Sequence, residues 1–267
     1  EENILNRQEQ ADHLQYLANQ KALIEGMTLE QREQLMYGDI LRQLAQRLQW
    51  SHNNLPIHAR TVQDAVCEVF SLLFEGSQDA VFFIIHSQFL KEIVILIGED
   101  IPTEEVKLIH LQGIHHLTEN GGQYDCFKIF NHGVDKSVAK VLKSTDQEVV
   151  EISVSIILKI INCKIRVDKT NQSQLYSVLE RDGVIHALCQ DILMREEVKE
   201  KMKNDVAISL GSLFTIGKIS QQVRQAVIIQ LKKGLISKDK DIMKKSFSYS
   251  FKQHSYYSNL IPKNEQR

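Results

Sequence analysis

From about Gln147 onward, apolar side chains fall on almost every side of a helical wheel: Val149, Val150, Ile152, Val154, Ile156, Ile157, Leu158, Ile160 and Ile161. A helix without a polar face must be covered on several sides. Ahead of it, Val138, Val141 and Leu142 mark a shorter helix beginning near Asp135. A lead helix over Tyr124–Phe130 precedes that and ends in a sharp turn at Gly133. Thr145 followed by Glu148 has the spacing of a capping box, in which each side chain satisfies an orphan amide of the new helix. The pattern predicts one three-helix unit, short, medium and long, with the long helix the most apolar.

The same pattern recurs. Moving back 45 residues, Val134, Val138, Val141 and Leu142 fall on Phe89, Ile93, Leu96 and Ile97. Moving back 43, Val149, Ile152, Ile157 and Ile160 fall on Val106, Ile109, Ile114 and Leu117. Between these two blocks, Asp100-Ile101-Pro102-Thr103 is a helix-start signal, with proline tolerated in the first turn. Moving forward 50, Gly133-Val134 falls on Gly183-Val184, Val138 on Leu188 and Leu142 on Ile192. Moving Phe89, Ile93 and Ile97 back 49 gives Ile40, Leu44 and Leu48, and a last copy sets Val138 and Leu142 on Val227 and Leu231. One unit returns about every 45 residues, the signature of a stacked repeat protein. No unit can hide its own third helix, so neighbouring units must stack.

Residues 1–27 are read apart, as a Gln-rich helix over Asn3–Gly26 that caps the stack or meets a partner. The repeat domain is placed at 28–254. Residues 255–267 form a tail, loosely ordered from Ser258, after the aromatic and hydroxyl-rich run Ser246–Tyr257. Only 12 Gly and 3 Pro occur, too few for the many turns of an all-β or doubly wound fold.

Gly133-Val134, Gly183-Val184 within Arg181-Asp182-Gly183-Val184-Ile185, and the long apolar third helices resemble the armadillo and HEAT repeat family. The resemblance spans about Thr28 to His254. It implies an all-α, right-handed solenoid of four to five repeats whose third helices line a concave groove. Such solenoids serve many roles, so the resemblance speaks for architecture more than for function.

Charge divides unevenly along the chain. The net value is −2, yet from Arg195 onward 15 Lys+Arg stand against 7 Asp+Glu. A basic end suits an acidic neighbour, although a solvated lysine-rich face explains it as well. Cys67, Cys126, Cys163 and Cys189 show no CxxC or Cys-His spacing and lie in apolar stretches, the mark of reduced buried thiols. That places the protein inside the cell, in the cytoplasm, with cytoskeleton and nucleus left open. No secretory signal pattern and no apolar run long enough for a membrane span are present. A first residue of Glu rather than Met suggests a piece of a longer protein.

Tests for catalysis fail. Gly121-Gly122 lacks the Lys-Ser/Thr of a phosphate loop, and neither GxSxG nor HExxH occurs. His110, His115 and His116 are spaced wrongly for two imidazoles on one helix face. His110 is expected to be buried and His116 to face the groove. The acid pairs Glu104-Glu105 and Glu196-Glu197 are read as helix starts, where the macrodipole favours negative charge. No catalytic residue, metal site or cofactor is expected, and the chain is read as not an enzyme.

Import receptors of the importin-α kind, which the fold resembles, hold basic peptides with Trp and Asn four residues apart on successive third helices. Here the matching positions carry Gln112/His116, Ser155/Lys159 and Gly211/Thr215, with Cys67/Ser71 or Glu68/Leu72 in the first unit. The only tryptophan, Trp50, lies outside any third helix, and Lys159 would repel a basic signal. The groove candidates are therefore Gln112, His116, Ser155, Lys159 and Thr215, for some other protein. The basic-edge candidates are Lys232, Lys233, Lys244 and Lys245, for a partner with an acidic surface. Few aromatics interleave those lysines, which weighs against single-stranded nucleic acid, and no small-molecule substrate is expected.

The expected function is a non-catalytic scaffold or adaptor within a larger assembly. One alternative is a nucleotide-exchange cofactor of the Hsp70 chaperone, because Ser177–Ile185 is similar to a repeat junction of the armadillo-type exchange factors. The other is a cytoskeletal, ciliary or nucleic-acid-associated solenoid subunit.

Overall fold

A computed structural model describes residues 2–54, 56–77, 80–167, 172–213 and 220–257. The described residues form helices and no strand. They divide into two compact units, Glu1–Val167 and Asp168–Arg267.

The first unit opens with α1 (Glu2–Glu25) and continues as three helix triplets. These are α2 (Leu29–Met36), α3 (Ile40–His52) and α4 (Pro56–Phe74); α5 (Ala80–Ile85), α6 (Gln88–Ile95) and α7 (Leu108–Asn120); and α8 (Gln123–Asn131), α9 (Val134–Ala139) and α10 (Gln147–Val167). The third helices pack in order, α4 on α7 and α7 on α10, while α1 lies against α4 with Leu17 and Ile24 buried. Gly113 makes the α4–α7 approach close. A Cβ there would stand 2.3 Å from the Phe70 ring. That ring meets Phe74 and Phe89 edge-on, with centroids 5.1 and 5.0 Å away.

Polar side chains knit one repeat to the next. Lys21 Nζ donates to Glu68 at 2.8 Å, Asn120 Nδ2 to the Phe74 carbonyl at 3.4 Å, and His132 Nε2 to the Ile85 carbonyl at 3.2 Å. Their partners are 47, 46 and 47 residues away. The period read from apolar positions thus reappears in the hydrogen bonds. Asn120 and His132 also satisfy carbonyls that helix ends leave without an intrahelical partner.

Gly133 sits at φ 78°, in the left-handed region, and so does Gly183. A residue with a Cβ is strained there by roughly 1–2 kcal/mol, which is why both turns carry glycine. One expected helix start moves, and one expected cap falls to a different residue. Pro102 leads into a short 3-10 turn over Thr103–Glu105, and α7 begins only at Leu108. The preceding helix opens into a wider turn over Leu96–Asp100, so the chain needs extra residues before it can re-enter the stack. Thr145 does not cap α10. Asp146 Oδ1 accepts from the amides of Glu148 at 2.9 Å and Val149 at 3.3 Å, while Ser144 Oγ accepts from the Asp146 amide at 3.1 Å.

The second unit contains α11 (Gln172–Arg181), α12 (Val184–Ala187), α13 (Glu200–Leu213), α14 (Gln221–Leu235) and α15 (Lys240–Tyr257). Glu196-Glu197 lies in the turn before α13 rather than at its start. Ahead of α15 the Ser144–Asp146 cap is repeated. Asp239 Oδ1 accepts from Asp241 at 2.9 Å and Ile242 at 3.3 Å, and Ser237 Oγ accepts from Asp239 at 3.1 Å. Ser246, wholly buried, donates to Asn204 Oδ1 at 2.7 Å and ties α15 to α13. The expected loose tail from Ser258 lies outside the described residues.

Candidate interaction surfaces

Third helices in this fold are covered on most sides, so their partly exposed positions stand out. On α7 these include Gln112 and His116, and on α10 Ser155 and Lys159. Each pair is one helical turn apart, and the two pairs are 43 residues apart. The residues between them, Gly113, Ile114, Ile156 and Ile157, are buried. The structure therefore brings four of the groove candidates onto corresponding positions of two packed helices.

Burial, the leading effect, lowers the pKa of both His115 and His116. Their rings lie 6.3 Å apart. Near neutral pH each is an uncharged imidazole with one donor and one acceptor nitrogen. Lys159 Nζ stands 3.6 Å from Glu119 Oε2, with both side chains substantially exposed. Such a pair is worth less than about 1 kcal/mol, but it places a carboxylate beside the lysine, which is not the bare positive charge expected of it.

On α4 the corresponding residues are Glu68 and Leu72, since Cys67 is fully buried. Glu68 is held by Lys21 of α1, and the Leu72 carbonyl accepts from Arg32 at 2.6 Å. This end of the row is thus closed by the chain itself. On α13, Gly211 is not on the open face. It is buried under Tyr249, whose hydroxyl would be 2.5 Å from an added Cβ. The partly exposed turn is Ile208 and Ser212. The sequence missed this because the small residues of Ser209–Ser212 let the apolar pattern slip by one turn. Thr215 lies outside the described residues.

The histidine expected to be buried has a structural role. His110 is 0% exposed. Its Nδ1 accepts from the Lys107 amide at 3.0 Å, so the proton sits on Nε2, which donates to Asp64 Oδ1 at 2.7 Å. Lys107 Nζ meets the other oxygen of Asp64 at 2.6 Å. Burial alone would raise the Asp64 pKa, but these bonds outweigh it and hold the carboxyl below its usual range. Glu105 pairs with Arg60 at 2.9 Å on the rim of a cleft of about 290 Å³ that Thr145 and Asp146 also line.

All four cysteines are free and buried. Burial pushes the Cys67 and Cys189 thiols up, and a hydrogen bond with Cys163 together with burial does the same for Cys126. Thiols in that state are poor nucleophiles. Among the described residues no three His, Cys, Asp or Glu gather as metal ligands, and no helix is long and apolar enough to cross a membrane.

The basic-edge candidates gather at one end of the second unit. Lys232 and Lys233 lie in the last turn of α14, Lys244 and Lys245 in α15, and all four are exposed. Lys245 is tied to Asp205 at 2.8 Å, whereas among the described residues no carboxylate pairs with Lys232, Lys233 or Lys244. Large apolar side chains stand among these lysines: Ile229, Ile236, Met243 and Phe247 are all exposed.

No protein-family model matches the chain, and no curated protein matches it. Solved structures do. A computationally designed armadillo repeat protein for modular peptide recognition matches at TM-score 0.65 and 16% identity, covering 90% of this chain and 97% of that one. A designed armadillo repeat protein in complex with the peptide (KR)4 matches at TM-score 0.62 and 16% identity, covering 90% and 96%. A third design matches at TM-score 0.59 and 15% identity, covering 88% and 91%. Identity this low speaks for fold alone. The chain is an all-α solenoid of the armadillo repeat type.

Proposed function

We propose that this protein is a non-catalytic scaffold that holds a polypeptide segment of a partner along the open face of its third helices. The supporting observation is the recurrence of partly exposed polar pairs, Gln112/His116 on α7 and Ser155/Lys159 on α10, on helices otherwise committed to packing. An amide, an imidazole, a hydroxyl and an ammonium in register offer donors and acceptors to an extended main chain, which has one of each per residue. Backbone recognition needs such a row, and acid–base catalysis does not. The armadillo designs that resemble this chain are described as peptide binders, which is the same use of the fold. Glu119 beside Lys159 and Glu75 near His116 let that face accept a neutral or mixed-charge segment.

Selection from a random-peptide display library, with the full chain as bait, tests this. Selected peptides should lose binding to a Gln112→Lys, Ser155→Lys double variant. Peptides that bind both chains equally would remove the proposal.

A further inference from the structure

One side of α14 is committed to packing. Val223, Val227, Gln230, Leu231 and Gly234 are buried. Gly234 brings the helix close to its neighbours: a Cβ there would stand 2.2 Å from Ser246 Oγ of α15 and 2.5 Å from Asn204 Oδ1 of α13. Gln230 Nε2 donates to Glu200 Oε2 of α13 at 2.9 Å. With that side fixed, helical geometry turns Gln222, Gln225, Ile229, Lys232 and Lys233 outward, and Ile236 continues the stripe just past the last turn. All six are exposed, Ile229 at 55% and Ile236 at 84%.

The register that sets Val138 and Leu142 on Val227 and Leu231 makes α14 a second helix. Other second helices turn polar residues outward: Arg42, Gln46 and Gln49 on α3, and Lys136 and Lys140 on α9, all exposed. In this register Ile229 stands where α9 has Lys140, α3 has Gln46 and α6 has Ile95, which is only partly exposed. A single exposed aliphatic residue is ordinary. Two on one stripe, about two turns apart and rimmed by charge, have the character of a contact site.

The rim is lysine. From Ile229 to Lys245 the sequence holds six lysines, no arginine and two acids, Asp239 and Asp241. Asp239 is engaged by the amides that start α15, and Lys245 by Asp205. Lys232, Lys233, Lys238 and Lys240 are exposed, and among the described residues no carboxylate pairs with them. Ser237 Oγ accepts from the Asp239 amide, so the turn that carries Ile236 and Lys238 is fixed.

Such charge is complementary to an anionic surface, and two features favour a bilayer over an acidic protein. Protein interfaces are enriched in arginine, whose fork grips carboxylates, and poor in lysine. Here the cations are lysines alone, long stems whose compact charges reach headgroups without a fixed geometry. Ile236 projects from a turn, where a protein partner would need a pocket shaped for it, whereas a bilayer interface yields to an apolar side chain. We propose that the outward side of α14 binds the anionic surface of a bilayer. Ile229 and Ile236 enter the headgroup region, and Lys232, Lys233 and Lys238 meet lipid phosphates and carboxylates. The contact is peripheral and reversible, and it uses none of the residues of the open face of α7 and α10. Two copies of this chain meeting through the same face would set lysine against lysine, which repels.

The test is cosedimentation of the full chain with vesicles of phosphatidylcholine and phosphatidylserine, and with vesicles of phosphatidylcholine alone. The mixed vesicles should carry the chain down and the neutral ones should not, with binding weakening as salt screens the charges. Ile236→Ser should lower the partition coefficient about tenfold. Lys232→Glu with Lys233→Glu should lower it about twentyfold or more, at roughly fivefold for each lysine near an anionic surface. Lys91→Glu with Lys136→Glu, the same change of charge on exposed positions of α6 and α9, should leave it nearly unchanged. Every substituted residue is exposed, so the variants keep the fold. No binding to the mixed vesicles, equal losses from the two lysine pairs, or insensitivity to Ile236→Ser would overturn the proposal. So would capture of polyglutamate that requires Ile236 and exceeds vesicle binding, which would make an acidic polypeptide the occupant, or self-association that requires Ile236.

Discussion

His52 and Glu92 are 40 residues apart in sequence and 3.0 Å apart in space, Nε2 to Oε2, where the second helices of the first two repeats meet. The other ring nitrogen of His52 contacts Asp100, and Glu92 Oε1 accepts from Gln49 at 2.8 Å and Gln88 at 2.6 Å. Burial works against the imidazolium, but hydrogen bonds and charge from Asp100 and Glu92 outweigh it, so the His52 pKa is raised. Glu92 shows the opposite balance: burial raises its pKa, and Gln88, Gln49 and His52 together bring it below the usual value.

A proton held more tightly in the folded chain stabilises it below the unfolded histidine pKa, about 6.5. That stabilisation is lost as pH rises through the folded value. His52→Ala should therefore lower unfolding free energy by about 2 kcal/mol under mildly acidic conditions. The gap from the natural chain should shrink steadily above pH 6.5. Urea melts across that range check it; a gap constant with pH would refute the linkage.

Two glycines should respond to substitution for different reasons. Gly113→Ala puts a methyl into the Phe70 ring and should cost about 1–3 kcal/mol through overpacking. Gly133→Ala meets open space but a left-handed backbone, and should cost about 1–2 kcal/mol. Phe70→Leu should rescue the first and leave the second unchanged, measured by thermal unfolding of single and double variants.

Asp146→Ala and Asp239→Ala each remove a carboxylate that accepts two amides at a helix start, and each should cost about 1 kcal/mol. Thr145→Ala should stay within about 0.5 kcal/mol. Equal losses at Thr145 and Asp146 would restore the capping box that the spacing of Thr145 and Glu148 suggests.

Those positions also mark how far the sequence could be read. The three-helix unit and its period were legible because Gly133 and Gly183 punctuate it and because α10 is apolar on almost every side. The start of α7 was not, since a widened turn such as Leu96–Asp100 leaves no periodic trace. Gln112, His116, Ser155 and Lys159 could be placed from register alone, because the buried apolar residues Leu111, Ile114, Leu117, Val154, Ile157 and Ile160 fix it there. The register failed at Gly211, where small residues define no unique face. The cross-repeat bonds of His52, Asp64 and His110 pair residues 40 or more apart and needed the fold to be seen.

The most direct test of the open face is site-specific photocrosslinking in native extract. A benzophenone side chain would be placed in turn at Gln112, Ser155 and, as controls on exposed second-helix positions, Lys91 and Lys136. A partner polypeptide crosslinked from Gln112 and Ser155 and not from the controls is the predicted result. Crosslinks of equal strength from all four positions, or from the controls alone, would contradict it.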